Sequence, residues 1–202
     1  KINAILFDLD GTLLNSLPDL ADAVNHVRSH LGLVPTSDTE IARGVGLGLG
    51  HLLRTSLPRQ FHSELPQLRP LFLEYYQAHL LARSRPFPGV SELLERLRCP
   101  VGLVTNKPRR FGAPILERLN WTFEVVVFGD DRPTRKPDPE PLNFAAGKLG
   151  CRPVDIVYVG DTSYDQRAAV AAGMHFRAVP WADKDIGQRM SGLDELHTLT
   201  TG

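Results

Sequence analysis

The stretch Ala4-Ile5-Leu6-Phe7-Asp8-Leu9-Asp10-Gly11-Thr12 decides how the rest of this 202-residue chain is read. Its apolar opening, Ala4-Ile5-Leu6-Phe7, reads as a short buried strand that runs from Ala4 to Leu9, and Gly11 permits a sharp backbone turn where it stops. Two carboxylates, Asp8 and Asp10, are thereby delivered to one end of a sheet, two residues apart. Buried like charges are costly unless a cation or a proton relieves them. The pair therefore points to a metal or a covalent role, against the blander reading of a solvated acidic turn.

Four further apolar runs read as strands: Val101 to Thr105, Glu124 to Phe128, Asp155 to Val159 and Phe176 to Val179. They alternate with helical periodicities such as Val90, Leu93, Leu94, Leu97 and then Phe111, Ile115, Leu119. Continuously apolar strands alternating with helices predict an α/β fold, a Rossmann-like parallel sheet covered on both faces. Right-handed crossovers then place every strand's carboxyl end on one edge, where open α/β sheets bind ligands. The spacing breaks between the first and second strands. Residues 15–85 carry only helical periodicity, first Leu20, Val24, Val27, Leu31 and later Leu65, Leu68, Phe72, Tyr76, Leu80. That length exceeds a crossover and suffices for a small helical domain. Leu14 to Pro18 makes the exit, and Pro86-Phe87-Pro88-Gly89 a stiff re-entry. The expected organisation is an α/β catalytic core of residues 1–14 and 86–202, with an inserted α-helical cap of residues 15–85 placed over the carboxylate pair.

Composition narrows the partners. The formal net charge is zero and no basic stripe stands out, so nucleic acid is not expected. No apolar run approaches the length needed to span a bilayer, and the amino-terminal residues carry no signal-peptide pattern. Cys99 and Cys151 lack metal-ligand spacing and read as ordinary thiols of a reducing cytoplasm. The seven His residues are scattered; no His-based metal site is expected. A cytoplasmic monomer or homodimer acting on a small metabolite fits these constraints.

Four strand ends carry polar residues of a consistent kind. The first holds Asp8 and Asp10. The second, Thr105-Asn106-Lys107, supplies a hydroxyl, an amide and a cation. After the third comes Arg135-Lys136-Pro137-Asp138-Pro139, with prolines fixing the loop around Lys136. The fourth runs into Gly160-Asp161-Thr162-Ser163-Tyr164-Asp165 and then a small-residue helix through Ala168, Ala169, Ala171, Ala172 and Gly173. Singly, each has a plain explanation: Thr105-Asn106 could cap a helix, Lys136 could be solvated, and Gly160-Asp161 could start a helix. Together they gather carboxylates, a hydroxyl and one or two lysines on one sheet edge, as phosphoryl transfer through magnesium requires. Mg²⁺ takes hard oxygen ligands, and phosphoryl oxygens need hydroxyl, amide and lysine donors.

The four motifs, in this order, resemble those of the haloacid dehalogenase superfamily, specifically its phosphoglycolate phosphatase-like branch with a helical cap. The resemblance covers nearly the whole chain. It implies that Asp8 is the nucleophile that becomes an aspartyl-phosphate, and that Asp10 is the acid that protonates the leaving oxygen and then the base that activates water. It implies that Thr105 and the Asn106 amide hold the phosphoryl group and that Lys136 balances its charge. Asp8, the Asp10 carbonyl and Asp161 match the magnesium ligands, with Asp165 a further ligand or a supporting acid. An acid at Asp10 separates phosphate-ester hydrolases from dehalogenases and phosphonate-cleaving relatives, which are not acidic there.

The insert carries Gly44-Val45-Gly46-Leu47-Gly48-Leu49-Gly50. It follows no strand, so a dinucleotide-binding loop is not the reading. Gly46 and Gly48 are instead placed in a loop before a helix at His51, whose amides could take a substrate carboxylate, or in a linker between helices. Arg43, His51 and Arg54 are possible carboxylate partners. The chain departs from the phosphoglycolate phosphatase pattern at Asn15-Ser16, at Tyr164, and at Pro180-Trp181-Ala182-Asp183. The leading expectation is Mg²⁺-dependent hydrolysis of a small phosphomonoester, with 2-phosphoglycolate foremost. A sugar phosphate, pyrophosphate or a phosphomutase reaction fits the same core. Outside catalysis, the alternatives are a phospho-acceptor of receiver type and a degenerate phosphatase kept as a binding module.

Overall fold

The computed structural model describes residues 1–182 and 185–201, which leaves Asp183 of the Pro180–Asp183 segment outside the described residues. The chain divides into two compact units, Lys1–Leu14 with Pro86–Gly202 and Asn15–Arg85.

The first unit is built on β1 (Ala4–Phe7), β4 (Val101–Val104), β5 (Val125–Val127), β6 (Ile156–Gly160) and β7 (His175–Ala178). All neighbouring pairs are parallel, in the order β5-β4-β1-β6-β7. Burial explains the runs of apolar residues: all four residues of β1 and all five of β6, the central strands, are buried, whereas the edge strand β7 alternates exposed His175 and half-buried Arg177 with buried Phe176 and Ala178. Around it run α5 (Val90–Arg96), α6 (Arg109–Arg118), α7 (Glu140–Leu149), α8 (Ser163–Ala171) and α9 (Asp194–Thr201). The chain fills one side of β1 with β4 and β5, then crosses to β6 and β7 on the other. The order therefore reverses at β1, and the crevice of the fold opens at its carboxyl end.

Phe7 is in register with Leu103 of β4 and Val159 of β6. Asp8 is thus the first residue beyond the strand, its N–H still donating to Val159 O at 2.9 Å. β1 ends two residues before the expected Leu9 because Leu9 O instead accepts from Leu13 N and Leu14 N, at 3.0 and 2.9 Å, which closes a turn.

The second unit is helical: α1 (Leu17–His30), α2 (Asp38–Ala42), α3 (Leu49–Ser56), a 3₁₀ turn at Arg59–Glu64, and α4 (Leu65–Ala78). α1 buries Leu20, Val24 and Val27, and α4 buries Leu68, Phe72 and Tyr76, so each shows the stripe expected of helices packed together. The buried Asp19 carboxylate ties the start of this unit to its end. It accepts from Arg83 N at 2.7 Å, Ser84 N at 3.2 Å and Ser84 Oγ at 2.5 Å. The chain enters and leaves along a two-stranded ribbon, β2 (Leu14–Asn15) with β3 (Arg85–Pro86). Among the described residues no helix is long and apolar enough to cross a membrane.

Candidate active site

The carboxyl ends of β1, β4 and β6 bring Asp8, Thr105 and Asp161 to one edge, the loop after β5 adds Lys136, and the first turn of α8 adds Asp165. Asp8, Asp161 and Asp165 each present a carboxylate oxygen within 4.8 Å of the others. Lys136 Nζ lies 2.8 Å from Asp8 Oδ1, 2.6 Å from Asp165 Oδ1 and 2.7 Å from the Tyr158 hydroxyl. The approach to Asp8 is oblique, so this buried oxygen has the lysine's charge beside it but no aligned hydrogen bond. The Tyr158 hydroxyl in turn donates to Val104 O at 2.7 Å.

Local sequence explains how these groups are held. Thr162 is the N-cap of α8, and a capping box joins its hydroxyl and N–H to Asp165. Both Asp165 oxygens are therefore engaged: Oδ1 by Lys136, and Oδ2 by Asp161 N, Thr162 N and Thr162 Oγ1. A carboxylate so occupied is a support for its neighbours rather than a free ligand. Asn106 does not cap α6, whose N-cap is Pro108 with no side-chain bond. Its amide clamps the Lys136 backbone instead, donating from Nδ2 to Lys136 O at 2.9 Å and accepting from Lys136 N at 3.0 Å. Thr105 is buried, and its hydroxyl accepts from Lys107 N at 3.2 Å.

Charge in this cluster does not balance. Burial pushes Asp8 up to about 6, with Asp165 and Asp10 adding to the shift and Lys136 opposing it. Burial, Asp165 and Asp8 together raise Asp161 well above the usual carboxylate range. Burial alone would raise Asp165 as well, but Lys136 and Thr162 outweigh it and hold that group below its ordinary value. Burial would likewise depress Lys136, but Asp165 and Asp8 keep it raised. Three carboxylates face one ammonium, so two of them have no cation of the protein's own beside them and must take up a proton or an added cation, and each donor is a hard oxygen. That donor set, with the unaligned Asp8 Oδ1, fits a small divalent cation such as Mg²⁺.

Asp10 belongs to a separate pair. Lys107 Nζ sits 2.9 Å from its Oδ1 and 3.2 Å from its Oδ2, and that ammonium is buried. Thr12 Oγ1 donates to Asp161 Oδ1 at 2.6 Å, and Gly11 supplies the close approach between the two segments. A Cβ on Gly11, at φ +82, would lie 2.2 Å from Asp161 Oδ2. Thr12 and Tyr158 are thus site residues that sequence reasoning did not single out, and Lys107, read as the cation of the second motif, is paired with Asp10. Lys107 stood in a quoted motif, but its partner lies 97 residues away. Gly46 and Gly48 lie in the other unit, between α2 and α3, at φ 93 and 88. The helix expected from His51 begins at Leu49, because Gly48 is its N-cap.

Comparison with known proteins agrees with this geometry. Residues 5–179 match the family model of haloacid dehalogenase-like hydrolases. A phosphoglycolate phosphatase of Chromobacterium violaceum is 37% identical over 196 residues, covering 91% of this chain and 87% of that protein. An N-acetylmuramic acid 6-phosphate phosphatase of Pseudomonas aeruginosa is 36% identical over 185 residues, covering 89% and 82%. The crystal structure of a protein from Haemophilus somnus, described as a predicted phosphoglycolate phosphatase, superposes with a TM-score of 0.88 at 29% identity, covering 98% of each chain. The chain belongs to the haloacid dehalogenase-like hydrolases. Within them it is an enzyme of the phosphatase type, a phosphoric monoester hydrolase.

Proposed function

We propose that the protein hydrolyses a small phosphomonoester, foremost 2-phosphoglycolate, in two steps through Asp8. The observation that carries this reading is the uncompensated cluster of Asp8, Asp161 and Asp165 around Lys136 at the carboxyl end of β1. A buried carboxylate with no aligned hydrogen bond is expensive to keep and suited to forming a bond. Asp8 attacks phosphorus while the ester P–O bond breaks, and Asp10 gives the leaving oxygen its proton. Water then attacks the phosphorus of the aspartyl-phosphate, its proton passing to Asp10, and Asp8 is regenerated. Thr105 and Lys136 bind the phosphoryl oxygens, and the Asn106 clamp keeps Lys136 in place. Asp8, the Asp10 carbonyl and Asp161 would hold Mg²⁺, with Asp165 supporting Lys136. Mg²⁺ there would neutralise charge on the transferring group.

The inserted unit is proposed to act as a cap that excludes bulk water and limits substrate size, with Gly46 and Gly48 in its substrate-facing loop. The relatives point to substrates that differ in size. The 2-phosphoglycolate reading follows the Chromobacterium protein, and the Pseudomonas protein adds sugar phosphates bearing an acid to the panel. The test is phosphate release from small phosphate esters led by 2-phosphoglycolate, with Mg²⁺ and with EDTA. Mg²⁺-dependent release from 2-phosphoglycolate supports chemistry and substrate together. Release from other esters alone keeps the chemistry and discards the substrate, and silence across the panel overturns both.

A further inference from the structure

Trp181 follows β7 and stands in a segment that departs from the phosphoglycolate phosphatase pattern. Its indole Nε1 donates to Gly11 O at 2.9 Å, across 170 residues of sequence. Its ring stacks on Phe87, with centroids 4.4 Å apart and planes within 19°. Phe87 N in turn donates to Leu13 O at 3.1 Å. The indole and Phe87 therefore grip the turn Gly11–Leu13 at two carbonyls. Asp10 lies immediately before that turn, and the Gly11 N–H closes it on Leu14 O at 2.9 Å.

We infer that Trp181 is a positioning residue for this reaction, holding the Gly11 peptide so that Asp10 and Thr12 stay aimed. The inference rests on the phosphatase reading above. Two features make the grip consequential. Gly11 has no slack toward Asp161, since even a Cβ there would clash. A shift of its peptide must therefore move Asp161 through Thr12, or Asp10 against Lys107. On its other flank Trp181 borders a cavity of about 350 Å³ shared with Leu93, Leu97 and Leu193. The stack on Phe87 and the bond to Gly11 are the contacts that tie the indole to the turn. Displacements of this size near reacting groups are costly, because positioning converts directly into rate.

Trp181→Phe keeps an aromatic ring against Phe87 and removes only the N–H donor. We expect kcat to fall about tenfold, the size of one lost hydrogen bond at a constrained site, with KM unchanged. A purely structural role would lower the melting temperature and leave kcat per folded molecule intact. The second measurement needs no change at Trp181. The chain has two tryptophans, so in Trp121→Phe the emission reports Trp181 alone. Titration with Mg²⁺ and then inorganic phosphate should give a saturable change in that emission. Wild-type kcat in Trp181→Phe, or a flat emission titration should that variant not fold, overturns the inference. If the wild-type enzyme releases phosphate from no ester, it is the phosphatase reading that fails, and the emission titration still decides whether Trp181 senses the loop.

Discussion

Each unit buries a carboxylate, Asp8 in one and Asp19 in the other, and the two are treated in opposite ways. Asp19 of the inserted unit accepts three well-formed hydrogen bonds from Arg83 and Ser84. Asp8 of the α/β unit has an oblique lysine and no aligned donor on the same oxygen. The first is a rivet, since every lone pair that matters is satisfied and the group joins two distant pieces of chain. The second keeps unfavourable charge at the position where the proposed reaction takes place. A buried acid is thus informative chiefly through what it lacks.

The sharpest way to break that contrast is Asp8→Asn. If Asp8 is the nucleophile, as proposed, removing it should lower turnover by about 10⁴-fold or more, as losses of a nucleophile generally do. The same change should leave the metal-free protein at least as stable as wild type, because it takes one like charge out of the cluster. Phosphate release and thermal melting on the same preparation check both halves. A variant that is inactive and also badly destabilised would place Asp8 with Asp19 among the rivets. Asp10→Asn is the next largest effect. It should retain less than about a hundredth of the wild-type rate, the usual size of acid–base assistance, while Mg²⁺ binding persists. Calorimetric Mg²⁺ titration beside kinetics distinguishes this from collapse of the site.

Asp19→Ala tests the other side. It leaves Arg83 N, Ser84 N and Ser84 Oγ without their acceptor, at a cost of about 2–4 kcal/mol. Urea denaturation should reveal the loss, while kcat of the folded fraction stays near wild type. A fall in kcat that matched the fall in stability would mean that Asp19 is no mere rivet.

What could be read in advance follows the same division between local and distant causes. β1, β4, β5 and β6 were legible because strands covered on both faces read as continuous apolar runs, whereas the edge strand β7 alternates His175 and Arg177 with buried Phe176 and Ala178; all five lie within two residues of where the pattern placed them. Asp8, Asp10 and Asp161 stood out as polar residues where apolar runs end, Lys136 as the lysine of a proline-flanked loop, and Asp165 as the last acid of the Gly160–Asp165 motif. The Lys107–Asp10 pair was not, because its members are 97 residues apart and a lysine before Pro108 looks like any loop lysine. Tyr158 was hidden inside a strand as one more large residue, although its hydroxyl meets Lys136. Asp165 could have been understood better from local sequence alone. Thr162 and Asp165 have the spacing of a capping box, which already commits that carboxylate to the start of α8.

The smallest expected effect concerns protons and Mg²⁺ competing for the same oxygens. Asp8 titrates at about 6 in the folded protein against 3.8 as its ordinary value, chiefly because burial disfavours the anion. Between those values the folded form holds a proton that the unfolded chain has lost. The metal-free protein should therefore lose stability as pH rises from about 3.8 through about 6. Asp161, raised for the same reason, pushes in the same direction. Mg²⁺ binding to the anions reverses the penalty, so its stabilising effect should be greater at pH 8 than at pH 5. Melting curves at the two pH values, with EDTA and with saturating Mg²⁺, measure the difference, which should amount to a few degrees. The same experiment on Asp8→Asn should show a smaller pH dependence, since one of the two titrating acids is gone. An equal Mg²⁺ effect at both pH values would mean that the cation binds elsewhere and that the cluster around Lys136 is balanced by other means.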